Sequence, residues 1–330
     1  MGGSEKSVKT IRWGIIGCGD VTEVKSGPAL QKARNSALVA VMRRNESLAE
    51  DYARRHEVPK WYDDAEALIQ DDDVDAVYIA SPPSSHKEYA LAVARARKPA
   101  YVEKPMALSY AECQEMIRAF EKAGKPLFTA FYRRALPRFL KVKSIVDDGL
   151  IGDVRGVSVR FYQAPSLKDR SSTPNWRTDP RIAGGGYFFD LGSHMIDLLQ
   201  YLIGPIKSAS GSSSNQAGLY EAEDIVAGTF IFESGVHGTG LWSFAANDSI
   251  DATEIVGSLG RVIYSTFLEA PVVLETSGRV ERFDVPHPEH MQQPLIQLVV
   301  DDLLGVGKSP STWDNGAATS WVMDRMLGRI

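Results

Sequence analysis

Cysteine is nearly missing from this sequence: Cys18 and Cys113 are the only two in 330 residues. Two thiols so far apart exclude a disulfide scaffold and a multi-cysteine metal cluster, and they fit a reducing compartment such as the cytoplasm. No uninterrupted apolar run has the length of a membrane span. The opening residues MGGSEKSVKT are polar and lack an apolar leader core, so no secretory signal is expected. Basic charge is not in excess either. The 37 Lys+Arg and 42 Asp+Glu residues give a net charge of −5, which lacks the electrostatic footprint of a nucleic-acid binder. Internal repeats and long low-complexity stretches are absent.

What is present is ordinary globular composition, 44% apolar, 24% charged and 9% aromatic. The length exceeds what one core usually serves, so two domains are expected. Residues 1–128 carry 19 basic and 19 acidic side chains, and the whole acidic excess lies in residues 129–330. In 1–128, short apolar strands (Ile11–Ile16, Ala37–Met42, Val74–Ala80, Ala100–Val102, Leu127–Phe131) alternate with helical patterns (Ser47–Arg55, Ala65–Ile69, His86–Arg97, Ser109–Ala123). Such alternation predicts a parallel sheet covered on both faces. Ser109 with Glu112 is a capping-box signature. In 129–330, seven strand-like runs from Val154 to Val285 follow a helix over Phe139–Asp148, several joined by glycine-bearing turns; helices cover Phe188–Leu202, Pro294–Leu304 and Ala317–Leu327. That half reads as an α+β domain on a largely antiparallel open sheet.

The first strand runs into Gly17-Cys18-Gly19-Asp20-Val21-Thr22. Glycine at 17 permits a tight turn, and glycine at 19 lets a pyrophosphate approach the backbone at a helix N-terminus. Thr22 stands where the dinucleotide fingerprint has its third glycine. The segment reads as a Rossmann dinucleotide-binding loop, the alternative being an ordinary glycine turn. The second strand ends in Met42-Arg43-Arg44-Asn45, with no acid to bind a ribose 2′-hydroxyl. Two guanidinium groups suit a 2′-phosphate, so NADP is preferred to NAD; the alternative is two solvated surface arginines.

Three further segments complete the pattern: Ala80-Ser81-Pro82-Pro83-Ser84-Ser85-His86, Tyr101-Val102-Glu103-Lys104-Pro105, and Gly184-Gly185-Gly186-Tyr187-Phe188-Phe189-Asp190-Leu191-Gly192-Ser193-His194. With the glycine loop, and in this order, they resemble the Gfo/Idh/MocA oxidoreductase family, which includes glucose–fructose oxidoreductase and myo-inositol dehydrogenase. The first two lie at the carboxyl ends of strands, where open parallel sheets bind ligands.

The resemblance implies a catalytic Lys104, with Asp190 and His194 lining a sugar site and His194 as proton acceptor. It places Ser81, Pro82 and His86, together with Gly17, Cys18, Gly19, Asp20, Val21, Arg43, Arg44, Glu103 and Lys104, beside the cofactor. Trp176 and Arg177 become substrate contacts with Lys104, Asp190 and His194.

The residues by themselves leave simpler alternatives: a structural Glu103–Lys104 pair, a polar Asp190–His194 pair on one helix face, a loop anchor at Trp176-Arg177, and His86 as a helix N-terminal residue capped by Ser84 or Ser85. The glycines at 184–186 are expected to admit a ligand close to the backbone. Tyr132, Arg133 and Arg134 are expected to face the ligand, whereas His287 and His290 read as loop residues, with no metal expected. The function implied is a cytoplasmic NADP- or NAD-dependent oxidoreductase acting on a CH–OH group of a cyclic sugar, polyol or derivative, assembled as a homodimer or homotetramer. Two alternatives remain: NAD-dependent redox-assisted glycosidic cleavage, and a non-catalytic dinucleotide sensor.

Overall fold

A computed structural model of the chain describes residues 9–171 and 175–330. Most of the polar opening segment lies outside the described residues. The chain divides into two compact units. The first takes Met1–Glu103, Glu115–Tyr132 and Pro288–Thr312; the second takes Lys104–Gln114, Arg133–His287 and Trp313–Ile330.

The first unit holds six strands: β1 (Ile11–Ile16), β2 (Ser36–Met42), β3 (Lys60–Tyr62), β4 (Ala76–Ile79), β5 (Ala100–Val102) and β6 (Leu127–Thr129). They lie in the order β3-β2-β1-β4-β5-β6, and every pair is parallel. β4 is buried at all four residues, as a strand covered on both faces must be. β3 escapes the sequence reading because a half-buried three-residue edge strand is too short to show a period. The helix His86–Arg95 stops short of its predicted end because Arg97 turns into left-handed backbone, with φ 57°. The last strand ends at Thr129 instead of Phe131, and a 3-10 turn over Tyr132–Ala135 follows.

The second unit holds β7 (Val154–Tyr162), β8 (Ile206–Ser214), β9 (Ile225–Phe232), β10 (His237–Ser243), β11 (Ile250–Gly257), β12 (Gly260–Tyr264), β13 (Val272–Thr276) and β14 (Arg279–Phe283). Their order is β14-β13-β12-β11-β7-β10-β9-β8. β7 and β10 pair in parallel and the other neighbours are antiparallel, so the sheet is mixed at its centre. Alternation along the strands buries Val159, Phe161, Val226, Phe230, Trp242 and Ile255 and exposes Arg160, Thr229 and Thr239. Helices Pro137–Asp147 and Trp313–Met326 pack on the sheet, and helix Ser193–Ile203 packs on both of them. The capping box of helix Tyr110–Ala123 forms in variant fashion. Ser109 Oγ accepts from the Glu112 amide at 3.3 Å, while the Glu112 carboxylate accepts from the Leu108 amide at 3.1 Å.

Tyr132, Arg133 and Arg134 are nearly buried, at 5%, 4% and 5% exposure. Arg134 grips the Asp197 carboxylate with Nε and Nη2 at 2.8–3.0 Å. Arg133 donates to the Thr266 carbonyl at 3.1 Å and lies over the Phe267 ring. Two cations in a core must be answered by acceptors, and these are. Asp197→Ala, which strands a buried guanidinium, is expected to lower unfolding free energy by about 3–5 kcal/mol. Urea titration against the unmodified chain measures it.

Candidate active site

The glycine loop is shaped by what a side chain would strike. Gly17 has φ 88°, and a Cβ there would come within 2.8 Å of the Ser81 backbone. The amides of Gly17 and Cys18 both donate to the Met42 carbonyl, at 2.9 and 3.1 Å. Gly19 faces open space, with nothing nearer to an added Cβ than its own loop at 3.9 Å. Thr22, in the third glycine's place, is buried and closes the loop: its hydroxyl donates to the Gly19 carbonyl at 2.8 Å and accepts from the Gly19 amide at 3.0 Å. Asp20 and Val21 then open the helical stretch, where first-turn amides have no intrahelical acceptor and can receive an anion.

The stretch continues as a π-helical turn, Thr22–Ser26, before the α-helix Gly27–Lys32. Close packing is supplied by Gly27, where any side chain would collide with Thr22 O and with the Tyr52 hydroxyl. That hydroxyl donates to Thr22 O at 2.8 Å.

Beyond β2, Asn45 caps the helix Glu46–Arg55 by accepting from the Leu48 amide at 3.1 Å. The guanidinium groups of Arg43 and Arg44 have no hydrogen-bond or ion-pair partner among the described residues. Beyond β4, the Ser81 turn is braced from within. His86 is fully buried and donates from Nε2 to the Ser81 carbonyl at 2.7 Å. The Ser85 hydroxyl turns back to Ser81 Oγ at 2.7 Å and does not cap the helix, as had been one expectation for this turn.

Beyond β5, Glu103 and Lys104 diverge. The Glu103 carboxylate accepts from the Tyr78 hydroxyl and from the Gln292 amide, both at 2.6 Å. In the second unit, Lys104 Nζ donates to the Asp190 carbonyl at 2.9 Å and to Asp190 Oδ1. The Lys104–Pro105 peptide is cis. The second Asp190 oxygen faces Arg177 Nε at 3.4 Å, and the Arg177 guanidinium lies over the Trp176 ring at 4.5 Å. Lys104 and Asp190 are only 12% and 17% exposed, so this ion pair is shielded from water.

Asp190 lies in a π-helical turn, Phe188–Gly192, not in an α-helix, so the four-residue spacing to His194 spans two helix types. The Asp190 carboxylate meets the Lys104 ammonium and the Arg177 guanidinium. His194 follows in the first turn of Ser193–Ile203, 3% exposed, its ring edge-on to Phe267 at 5.9 Å between centroids. The close approach permitted by Gly184, Gly185 and Gly186 is to Phe189 and Glu223 of the chain itself, not to open space. The Gly186 amide donates to Glu223 Oε1 at 2.9 Å. An open pocket of about 370 Å³ is bordered by Trp176, Asp169, Asp179 and Tyr220.

Among the described residues, no group of three or more His, Cys, Asp and Glu side chains could hold a metal ion. No helix among them is long and apolar enough to cross a membrane.

Two family profiles match the chain: "Oxidoreductase family, NAD-binding Rossmann fold" over residues 11–131, and "GFO/IDH/MocA C-terminal domain" over residues 139–263. Oxidoreductase P35 of Formosa agariphila is 40% identical, over 96% of this chain and 98% of that protein. The chain belongs to the Gfo/Idh/MocA oxidoreductase family. Myo-inositol 2-dehydrogenase of Thermotoga maritima is 30% identical, over 83% of this chain and 81% of its own. The solved structure of levoglucosan dehydrogenase in complex with NADH and levoglucosan shares the fold, with a TM-score of 0.85 at 22% identity and 96% of each chain covered. This Gfo/Idh/MocA protein is therefore an enzyme, an oxidoreductase with a dinucleotide-binding Rossmann domain.

Tyr78, Gln292 and Phe267 went unmarked in the sequence because tyrosine, glutamine and phenylalanine carry no motif of their own. Only the fold brings them to Glu103 and His194.

Gly17→Ala is expected to weaken dinucleotide binding about tenfold or more, through left-handed strain and contact with Ser81; calorimetric titration with NADP and NAD measures it. Burial pushes the Cys18 thiol up to about 11 and the Cys113 thiol up to about 12. Iodoacetamide at pH 8 should therefore label neither in the native protein and both in urea, as read by mass spectrometry.

Proposed function

We propose that this oxidoreductase moves a hydride between a nicotinamide cofactor and a carbinol carbon of a cyclic sugar, polyol or sugar derivative. In this reading Lys104, Asp190 and His194 carry the reaction. The observation behind it is the shielded Lys104–Asp190 ion pair, one helical turn in sequence from a nearly buried histidine.

The residues suit the cofactor. The Asp20 and Val21 amides with the open face at Gly19 would take the pyrophosphate. The Ser81-Pro82 turn, stiffened by proline, would wall the flat ring. Arg43 and Arg44, with no competing partners among the described residues, would grip a 2′-phosphate, which favours NADP over NAD. When bound, the dinucleotide supplies hydride acceptance and donation.

The chain's own part is proton handling and charge. In the oxidative direction His194 accepts the hydroxyl proton. The Lys104 ammonium, aimed by Asp190, donates to the same oxygen as negative charge builds on it, and low exposure strengthens that contact. Arg177 holds the second oxygen of Asp190 and leaves the Trp176 ring beside the pocket, where an aromatic face and nearby carboxylates suit a polyhydroxylated ring. Reduction of a carbonyl runs through the same groups in reverse.

In this reading residues 1–128 bind the cofactor, and residues 129–330 bind substrate and assemble the oligomer. The face of the eight-stranded sheet that displays Arg160, Thr229 and Thr239 would meet a second copy in a homodimer or homotetramer; a monomer mass by light scattering refutes this. Two buried thiols suit the reducing cytoplasm.

Lys104→Ala is expected to cut turnover about 10²–10³-fold while dinucleotide binding persists. Nicotinamide absorbance across a panel of sugars and inositols, with both cofactors, reads it; full activity in the variant would sink the assignment. Replacing Arg43 and Arg44 together by alanine should cost about tenfold or more in NADP affinity and leave NAD nearly unchanged.

A further inference from the structure

We infer that Gln292 is a positioning residue for Lys104, acting through Glu103, and that the short strap His290–Gln292 ties this position to the helical stretch behind the cofactor loop. The inference rests on the reading of Lys104 as the reacting ammonium. It draws on contacts that lie wholly within the first unit.

The strap is fastened at its near end to the stretch after the glycine loop. His290 donates from Nδ1 to the Val24 carbonyl at 2.8 Å, and its Nε2 meets Lys32 Nζ at 2.6 Å. The ring is thus held from both sides. The Gln292 backbone N–H donates to the Lys25 carbonyl at 3.4 Å. Val24 and Lys25 belong to the π-helical turn Thr22–Ser26. His290, a residue outside helix and strand, thus anchors the strap.

At the far end the Gln292 side chain is fully buried and has polarity at both tips. Its Nε2 donates to Glu103 Oε1 at 2.6 Å, and its Oε1 accepts from the Tyr101 hydroxyl at 3.0 Å. A carboxylate only accepts, so the amide has one workable orientation, and the Tyr101 hydroxyl must donate. The Tyr78 hydroxyl donates to the same Glu103 oxygen at 2.6 Å. The Glu103 backbone amide donates to the Ile79 carbonyl at 2.9 Å. Glu103 is therefore held at its main chain by β4 and at its carboxylate by Tyr78 and Gln292.

The next residue is Lys104, whose side chain must place one ammonium on a reacting oxygen. An error at the root of that side chain is carried to its tip, and misplacement by about 1 Å can cost a hundredfold in rate. Removing a donor from a nearly buried carboxylate gives Glu103 a reason to move, because the lost hydrogen bond is not replaced by water.

The test uses the full chain with Gln292→Met, close in shape and without either hydrogen bond, and Tyr101→Phe, which removes only the bond that orients the amide. Three quantities are read: dinucleotide affinity, turnover against pH with the most active sugar or polyol, and the pH profile of Lys104 modification by trinitrobenzenesulfonate, followed by peptide mass spectrometry. Gln292→Met is expected to lower kcat about tenfold to a hundredfold with KM changed less than threefold, and to shift both pH profiles together. Tyr101→Phe is expected to do the same more weakly. If Gln292→Met fails to fold, Tyr101→Phe decides by the same readouts. Wild-type kcat and an unmoved Lys104 modification profile in a folded variant overturn the inference. A shifted modification profile in a protein that turns over no sugar or polyol at all upholds the positioning role and overturns instead the proposed function.

Discussion

Glu103 and Lys104 are consecutive residues of opposite charge, and both are largely withdrawn from water. A charge in such surroundings must be met by opposite charge or by aimed donors, or the fold that buries it is lost. Glu103 is met by Tyr78 and Gln292, and Lys104 by Asp190. Each charge thus has partners of its own within its unit.

The cofactor loop shows how a departure from a motif is absorbed. A third glycine would let helix and strand pack closely. Thr22 takes its place and ties the loop with its own hydroxyl, and the chain then passes through a π-helical turn. The small residue reappears at Gly27, where the Tyr52 hydroxyl needs the room. Five positions after Thr22, the small residue lets a second helix come close through Tyr52.

Much of the fold was legible because its signals are local and repeated. Apolar runs at Ile11–Ile16 and Ala100–Val102 became strands over the same residues, and the alternation in the second half became the mixed sheet. The parallel pairing of β7 with β10 was not legible, since strand direction depends on connections and not on the pattern within a strand. The burial of Arg133 and Arg134 was not legible, because charge alone reads as solvent or ligand, whereas Asp197, the Thr266 carbonyl and the Phe267 ring make a core position tenable. The glycines at 184–186 were read correctly as a close approach, and wrongly as an approach to ligand, because a sequence does not say what fills the space a missing Cβ leaves.

By itself the sequence determined the parallel and largely antiparallel sheets, the dinucleotide loop, and the family to which the chain belongs, since these are written in short-range periodicity and in contiguous motifs. Only the tertiary structure decided which side chains answer one another: Lys104 with Asp190 across 86 positions, and Glu103 with Gln292 across 189. Hydrogen bonds and ion pairs act over about 3 Å in space. Residue types as common as glutamine and tyrosine carry no mark of such partners until the chain has folded.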